Sequence, residues 1–394
     1  MLSSYREVLS RPGTLSFSAT GLVARLPIAM LGLGIVLLVS SATGSYALAG
    51  SVSAVYVLAN AVVAVVQGRL VDRLGQSRVL PVAISVYAGA LGVLMAAVQL
   101  GWPVAVVFAG AAVSGAALPQ VGACVRARWS HVLDEPSQVQ TAYALEAVAD
   151  EAVFIVGPVV VTVLATAVHP LAGLGVALVV GLAGTLALTA QRSTEPPAHP
   201  RPVHRSSRPR MPWPVVAALT AVMVSMGGIF GATEVVTVAF TEERDAASLA
   251  GALLALWATG SLVAGVVTGA VHWRRGPAQR LTLGAAGMAV TMALLPFVGT
   301  VPVMGVVLLL GGFAISPTLI AALSLVEQVA PPARLTEAMG VLHTGLAGGV
   351  ALGAAAAGSV VDARGASAAY LVPVVAGVLA TAAAQVTWIA VRRG

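Results

Sequence analysis

Residues 46–100 read YALAGSVSAVYVLANAVVAVVQGRLVDRLGQSRVLPVAISVYAGALGVLMAAVQL. Two apolar runs of about 20 residues, the length that crosses a bilayer as a helix, flank the charged segment GRLVDRLGQSR at 68–78. Hydrocarbon offers no partner to a backbone N–H or C=O, so each run must bond within itself as a helix. The same alternation recurs along almost the whole chain. Of its 394 residues 58% are hydrophobic and 9% charged, whereas soluble domains carry about 25% charge. Mean hydropathy is +0.94. The sequence predicts an all-α polytopic membrane protein.

Outward from this hairpin, apolar runs predict twelve transmembrane helices, TM1 to TM12. They lie at 15–39, 46–66, 79–100, 104–124, 141–166, 170–190, 213–240, 249–271, 281–299, 303–327, 338–358 and 369–390. The head MLSSYREVLSRPG resembles the start of a signal peptide, but the run behind it is longer than a cleavable apolar region of about 7–15 residues. It is therefore expected to stay as TM1. The Pro- and Arg-rich segment QRSTEPPAHPRPVHRSSRPRMPWP, 191–214, falls mid-chain and reads as a disordered linker. The expected organisation is an N-terminal six-helix bundle at 1–190, a cytoplasmic linker at 191–213 and a C-terminal six-helix bundle at 214–394. Two halves of six imply an internal repeat. A shift of 198 residues supports it weakly, bringing Pro119 onto Pro317 and Gly68 between Gly265 and Gly269.

All 21 basic residues are Arg. With the N-terminus inside, 18 of them fall in the head, the even-to-odd loops or the tail, leaving Arg244, Arg364 and, within TM1, Arg25. By the positive-inside rule both termini and the linker are expected to be cytoplasmic, in the inner membrane, with Trp129, Trp213, Trp273 and Trp388 at the inner interface. A pI of about 10.2 could suggest nucleic acid, but the arginines punctuate spans instead of clustering on one polar face. A single cysteine, Cys124, excludes a disulfide framework and a cysteine-rich metal site. No cofactor beyond a proton gradient is expected, and the lipid bilayer is the expected surrounding of a monomer.

Within the loop after TM2, Gly68, Asp72, Arg73, Gly75 and Arg78 resemble motif A of the major facilitator superfamily (MFS), with Gln76 at a commonly basic position. Gly68 would admit a close helix approach and Gly75 a tight turn. The resemblance implies the MFS fold of two pseudo-symmetric bundles, with this loop latching the cytoplasmic side in the outward-open state. Asp72 would then face the start of TM11 near Thr336 and Glu337, where a helix N-terminus favours an anion. Gly358, Asp362 and Gly365 repeat the spacing after TM11, on the side the topology places outside. They read as an inverted echo of the same device or as a capped turn, and no function is assigned to them. Gly157 and Pro158 resemble the core of the antiporter motif C, without its surrounding glycines, and Pro158 is expected to kink TM5. TM11 carries Gly345, Gly349 and Gly353, a smooth ridge for helix contact. The Arg that the family often has within TM4 is missing from 104–124, where Arg126 and Arg128 lie beyond the span.

Charges at mid-bilayer cost about 2.5–3.5 kcal/mol on insertion scales and so usually face a cavity or pair. Arg25, Glu146, Asp150, Glu151, Glu234 and His343 are the candidates for substrate contact or proton coupling. Glu146 and Asp150 share one side of TM5, while Glu151 points about 100° further round. By resemblance TM1 and TM5 are neighbours, and TM1, TM4, TM7 and TM10 line the cavity. Arg25 is expected to pair with Asp150 or Glu151, with Glu146 nearer the cytosolic entrance. Asp150 or Glu151, whichever is left without a cation, would carry a proton; the alternative is a purely structural ion pair. Glu234 either reaches the outer cavity or snorkels to the interface. His343 reads as a packing residue before a relay.

No HExxH, GxxxxGK[ST] or nucleophile elbow occurs, so nothing points to an enzyme or an ATP-driven pump. The expected function is a secondary transporter resembling bacterial small-molecule and drug exporters, moving an amphipathic compound outward against protons. An importer or uniporter of a sugar, metabolite or organic acid is the alternative, and a non-transporting receptor a remote one.

Overall fold

The computed structural model describes residues 2–198, 210–270, 275–331 and 334–393. Arg201, Arg205, Arg208, Trp273 and Arg274 lie outside the described residues. Among those described, twelve helices are long and apolar enough to cross a membrane. They are TM1 Thr14–Thr43, TM2 Tyr46–Leu74, TM3 Gln76–Gln99, TM4 Val104–Val132, TM5 Pro136–Ala167, TM6 Ala172–Ala190, TM7 Trp213–Glu242, TM8 Ala247–Thr268, TM9 Pro277–Phe297, TM10 Val301–Val329, TM11 Glu337–Arg364 and TM12 Ala366–Arg392. An even number of crossings puts both ends of the chain and the TM6–TM7 connection on one side, the terminal face. The other side is the opposite face.

Two spans are broken. TM4 stops at Ala117 and resumes at Val121, because Pro119 has no N–H to offer the helix. TM10 stops after Gly311 and Gly312 and resumes at Ile315. Pro317 then sits in the first turn of the resumed helix, where its missing N–H costs nothing. The resumed part of TM4, Val121–Val132, carries Arg128, fully buried, and Arg126, partly exposed. The expectation that both lie beyond TM4 is therefore corrected: the span ends eight residues later than the apolar run suggests.

Each bundle is organised around one especially buried helix, TM1 or TM7. The glycine ridge of TM11 packs on TM7, where a Cβ on Gly349 would strike the Val224 carbonyl and one on Gly353 the Gly228 carbonyl. The head is a helix as well: Leu2–Leu9 lies against TM5, with Val8 buried and the Gln138 side-chain N–H donating to Glu7 at 2.9 Å. The linker is also ordered where it leaves TM6. Residues Arg192–Thr194 form a 3-10 turn and Thr194 is buried, so a disordered linker from 191 onward is corrected to one that begins with a docked turn.

The bundles meet along TM2–TM11 and TM5–TM8. Near the opposite face the contacts are backbone-close: a Cβ on Gly50 would strike the Ala354 carbonyl, one on Gly358 the Tyr46 carbonyl, and one on Gly251 of TM8 the Pro158 carbonyl of TM5. Toward the terminal face Gly68 of TM2 and Gly340 of TM11 have open space around them. The molecule is closed at the opposite face and splayed at the terminal face.

Candidate substrate and coupling site

TM1 delivers Arg25, 6% exposed, to a knot of carboxylates on TM5. One guanidinium nitrogen donates to Asp150 Oδ1 at 2.6 Å and another to Glu146 Oε2. The Arg25 Nε–H is satisfied by the Gly21 carbonyl at 3.1 Å. Glu146, fully buried, also accepts from Ser18 Oγ at 2.9 Å and from the Trp129 indole N–H at 2.8 Å. Trp129 is fixed by an edge-on contact with Phe17, centroids 4.6 Å apart. The second Asp150 oxygen takes Arg126 at 2.5 Å. Two arginines and two carboxylates form a closed, neutral set, as burial of charge requires.

This pairing bears out one expectation and revises another. Arg25 pairs with Asp150, one of its two expected partners, and not with Glu151, while Glu146 is a sealed second partner in place of an entrance residue. The reason is helical period: Glu146 and Asp150 are four residues apart and rise one above the other on one side of TM5, spaced for the fork of one guanidinium. Glu151 turns away by about 100°. Its stripe on TM5 is that of Pro158 and Thr162, the two residues that meet Gly251 of TM8 at the opposite face. Glu151 thus lies on the face of TM5 that borders the cleft, half-buried and, among the described residues, with no hydrogen-bond or ion-pair partner.

Glu234 is a second partly buried carboxylate within a span. TM7 holds it against TM1 at Gly32, where an added Cβ would lie 2.8 Å from Glu234 Oε1. No described residue pairs with it. Its position is about 12 Å from the end of TM7 at the opposite face, at 1.5 Å per residue. On TM11 His343 is exposed, its Nδ1 2.8 Å from the Met339 carbonyl. Gly157 and Pro158 lie where three helices meet: a Cβ on Gly157 would come within 2.8 Å of Ala29 of TM1, and the Pro158 carbonyl abuts Gly251. TM5 continues as helix through Pro158.

In the loop after TM2, Asp72, Arg73 and Arg78 are exposed. Asp72 has no partner among the described residues, and the close helix approach expected at Gly68 is not made, because TM2 and TM11 diverge there. Gly75 makes the turn, with φ +88°, a value that disfavours any side chain. Gln76 is buried. It accepts from Arg128 Nε at 2.8 Å and donates to the Cys124 carbonyl at 3.1 Å. Arg128 continues to the Gln191 carbonyl at 2.7 Å and Thr194 Oγ1 at 2.9 Å. Glu195 Oε1 then accepts the Ser77 N–H at 2.8 Å, capping the start of TM3. A polar residue where the motif commonly has a charge is thus part of a clasp holding TM3, TM4 and the segment after TM6. Sequence reasoning placed Arg126 and Arg128 beyond TM4 and so missed their bonds to Asp150 and Gln76, and it missed Glu195 altogether, since a Pro-rich context gave no reason to look there.

Twelve spans in two bundles, packed together at one face and splayed at the other, define a polytopic helical membrane fold. The chain belongs to the Major Facilitator Superfamily, whose sequence profile it matches over residues 17–334. No curated protein sequence matches it. Solved structures do: the POT family transporter PepTSo is similar (TM-score 0.77, 11% identity, 96% of this chain and 97% of that one). The nucleoside transporter NupG is also similar (0.71, 16%, 97% and 99%). So is the human organic anion transporter MFSD10 (0.64, 17%, 95% and 98%). At these identities the likeness concerns the fold.

Proposed function

We propose that this protein is a proton-coupled exporter of amphipathic, positively charged small molecules, working by alternating access between two faces of the inner membrane. The observation that carries this reading is the division of the in-span carboxylates. Glu146 and Asp150 are neutralised by Arg25 and Arg126, whereas Glu151 and Glu234 have no cation among the described residues. A carboxylate without a partner favours either a proton or a cationic ligand. Glu151 takes the proton role, Glu234 the cation contact, and the surrounding Ala, Val, Leu and Met offer apolar area to the ligand's body. Arg counts assign the terminal face to the cytosol, which makes the splayed state inward-open. His343, exposed on TM11, is a cleft residue of lower rank.

The similar structures are those of peptide, nucleoside and organic anion transporters, so an importer of a polar metabolite is the second reading. Purified protein in proteoliposomes decides between them. Uptake of tetraphenylphosphonium, measured with and without an imposed pH gradient, should respond to the gradient in the unaltered protein. It should lose that response in Glu151→Gln and lose substrate affinity in Glu234→Gln. Gradient-driven movement that survives Glu151→Gln would end the proton assignment.

A further inference from the structure

At the opposite face, Asp362 near the end of TM11 grips the start of TM2. Its Oδ1 accepts the Tyr46 N–H at 2.7 Å, and its Oδ2 accepts Ser45 Oγ at 2.7 Å and the Ala47 N–H at 2.9 Å. The two N–H groups are first-turn backbone donors of TM2, at the end of a helix where negative charge is favoured. The contact crosses between the two bundles and exists only while they are together at this face.

TM2 and TM11 are related residue by residue at an offset of 290, in GRLVDRLG (68–75) and GSVVDARG (358–365). Gly68 corresponds to Gly358, Asp72 to Asp362 and Gly75 to Gly365. The second glycine of each pair turns the chain at positive φ, +88° and +80°. Each following helix is capped by a glutamate from elsewhere: Glu195 accepts from Ser77 N–H, and Glu243 accepts from Ala366 N–H at 2.7 Å. The offset also pairs Gly50 with Gly340. Both glycine pairs, Gly50 with Gly68 and Gly340 with Gly358, are separated by about five helical turns, so each lies on one stripe of its helix. In the closed half of the interface Gly50 and Gly358 make the helix contact. In the splayed half Gly68 and Gly340 touch nothing.

We propose that Asp362 is a second gate latch, reciprocal to that of Asp72 and formed when the other is open. Exchanging TM2 for TM11 turns the observed grip on residues 45–47 into a grip of Asp72 on residues 335–337, the first turn of the helix that contains TM11. In the structure that turn is occupied by its own pair, Arg334 bonded to Glu337 at 2.9 and 3.0 Å. Asp362 therefore stabilises the state open at the terminal face, and Asp72 the state open at the opposite face. The local exchange of two helices gives the transporter a switch with matching ends. This inference rests on the alternating-access reading.

The test uses a Cys124→Ser background with one reporter cysteine at a time. Ala54→Cys is buried in the closed half of TM2, and Val65→Cys is exposed in its splayed half. A membrane-impermeant maleimide is applied to the full-length protein in sealed vesicles of each orientation. Asp362→Asn should raise the labelling rate at Ala54→Cys by about fivefold, the order of one helix-end charge contact, and lower it at Val65→Cys. Asp72→Asn should do the reverse, and the double variant should return both rates toward the unaltered values. Ser45→Ala, which removes one donor and keeps the carboxylate, should shift the rates as Asp362→Asn does but by less. If Asp72→Asn shifts the rates and neither Asp362→Asn nor Ser45→Ala does, the second latch is wrong while alternating access stands. If no variant shifts either rate, both fall.

Discussion

Two sides of TM5 treat acidic residues in opposite ways within a turn and a half of helix. On the side facing TM1, Glu146 has no exposed surface and accepts from Arg25, Ser18 and Trp129, with Asp150 sharing the same arginine. On the cleft side Glu151 is half-buried and, among the described residues, unpartnered. The difference teaches that a carboxylate inside a span is not by itself a functional mark. What matters is whether the neighbouring helices bring it a cation and donors, which makes it structural, or leave it facing the space between the bundles.

The comparison can be broken most forcefully at its sealed side. Replacing Glu146 with Gln leaves Arg25 buried with one full carboxylate fewer, and removing one member of a buried pair costs about 3–5 kcal/mol. The expected result is a large loss of thermal stability in detergent, shared by Arg25→Leu and relieved in the double variant. Equal stability of Glu146→Gln and the unaltered protein would erase the distinction between the two sides. At the open side, Glu151→Gln should leave the melting temperature nearly unchanged while gradient-driven transport falls on the order of 100-fold, as loss of a positioned proton-transfer group does. Asp150→Asn should show the opposite balance, with stability affected more than coupling.

A smaller effect sharpens the same contrast between filled and open surfaces on TM11. Gly349→Ala drives a methyl into the Val224 carbonyl, whereas the neighbouring Gly348 has open space. Overpacking costs about 1–3 kcal/mol, so Gly349→Ala should lower thermal stability. Gly348→Ala should leave it within about 0.5 kcal/mol of the unaltered protein, the range usual for surface substitutions.

Much of this fold is legible in the chain because the bilayer leaves few solutions. Apolar runs of fixed length must be helices, and the twelve expected spans correspond one to one with the twelve observed. Their ends were less legible. TM4 continues through Arg126 and Arg128 where hydropathy alone ends it at 124, because a charged residue can stay in the helix when other helices supply its partners. The Arg25 pairing shows the same limit. Its partner class, a TM5 carboxylate, follows from depth, but the choice of Glu146 and Asp150 over Glu151 depended on which side of TM5 meets TM1.

The echo of the TM2 loop at Gly358, Asp362 and Gly365 was visible as spacing and silent as to purpose. Its purpose lies in an encounter between Ser45 and Asp362, 317 positions apart in the chain, which no local pattern encodes. By itself the sequence determined the helices, their number and the side bearing most of the arginines, since these follow from hydrophobic length and charge. Only the tertiary structure decided which carboxylates are neutralised and which face is closed, because both depend on how two bundles of nearly uniform oil bring a few polar atoms within bonding distance.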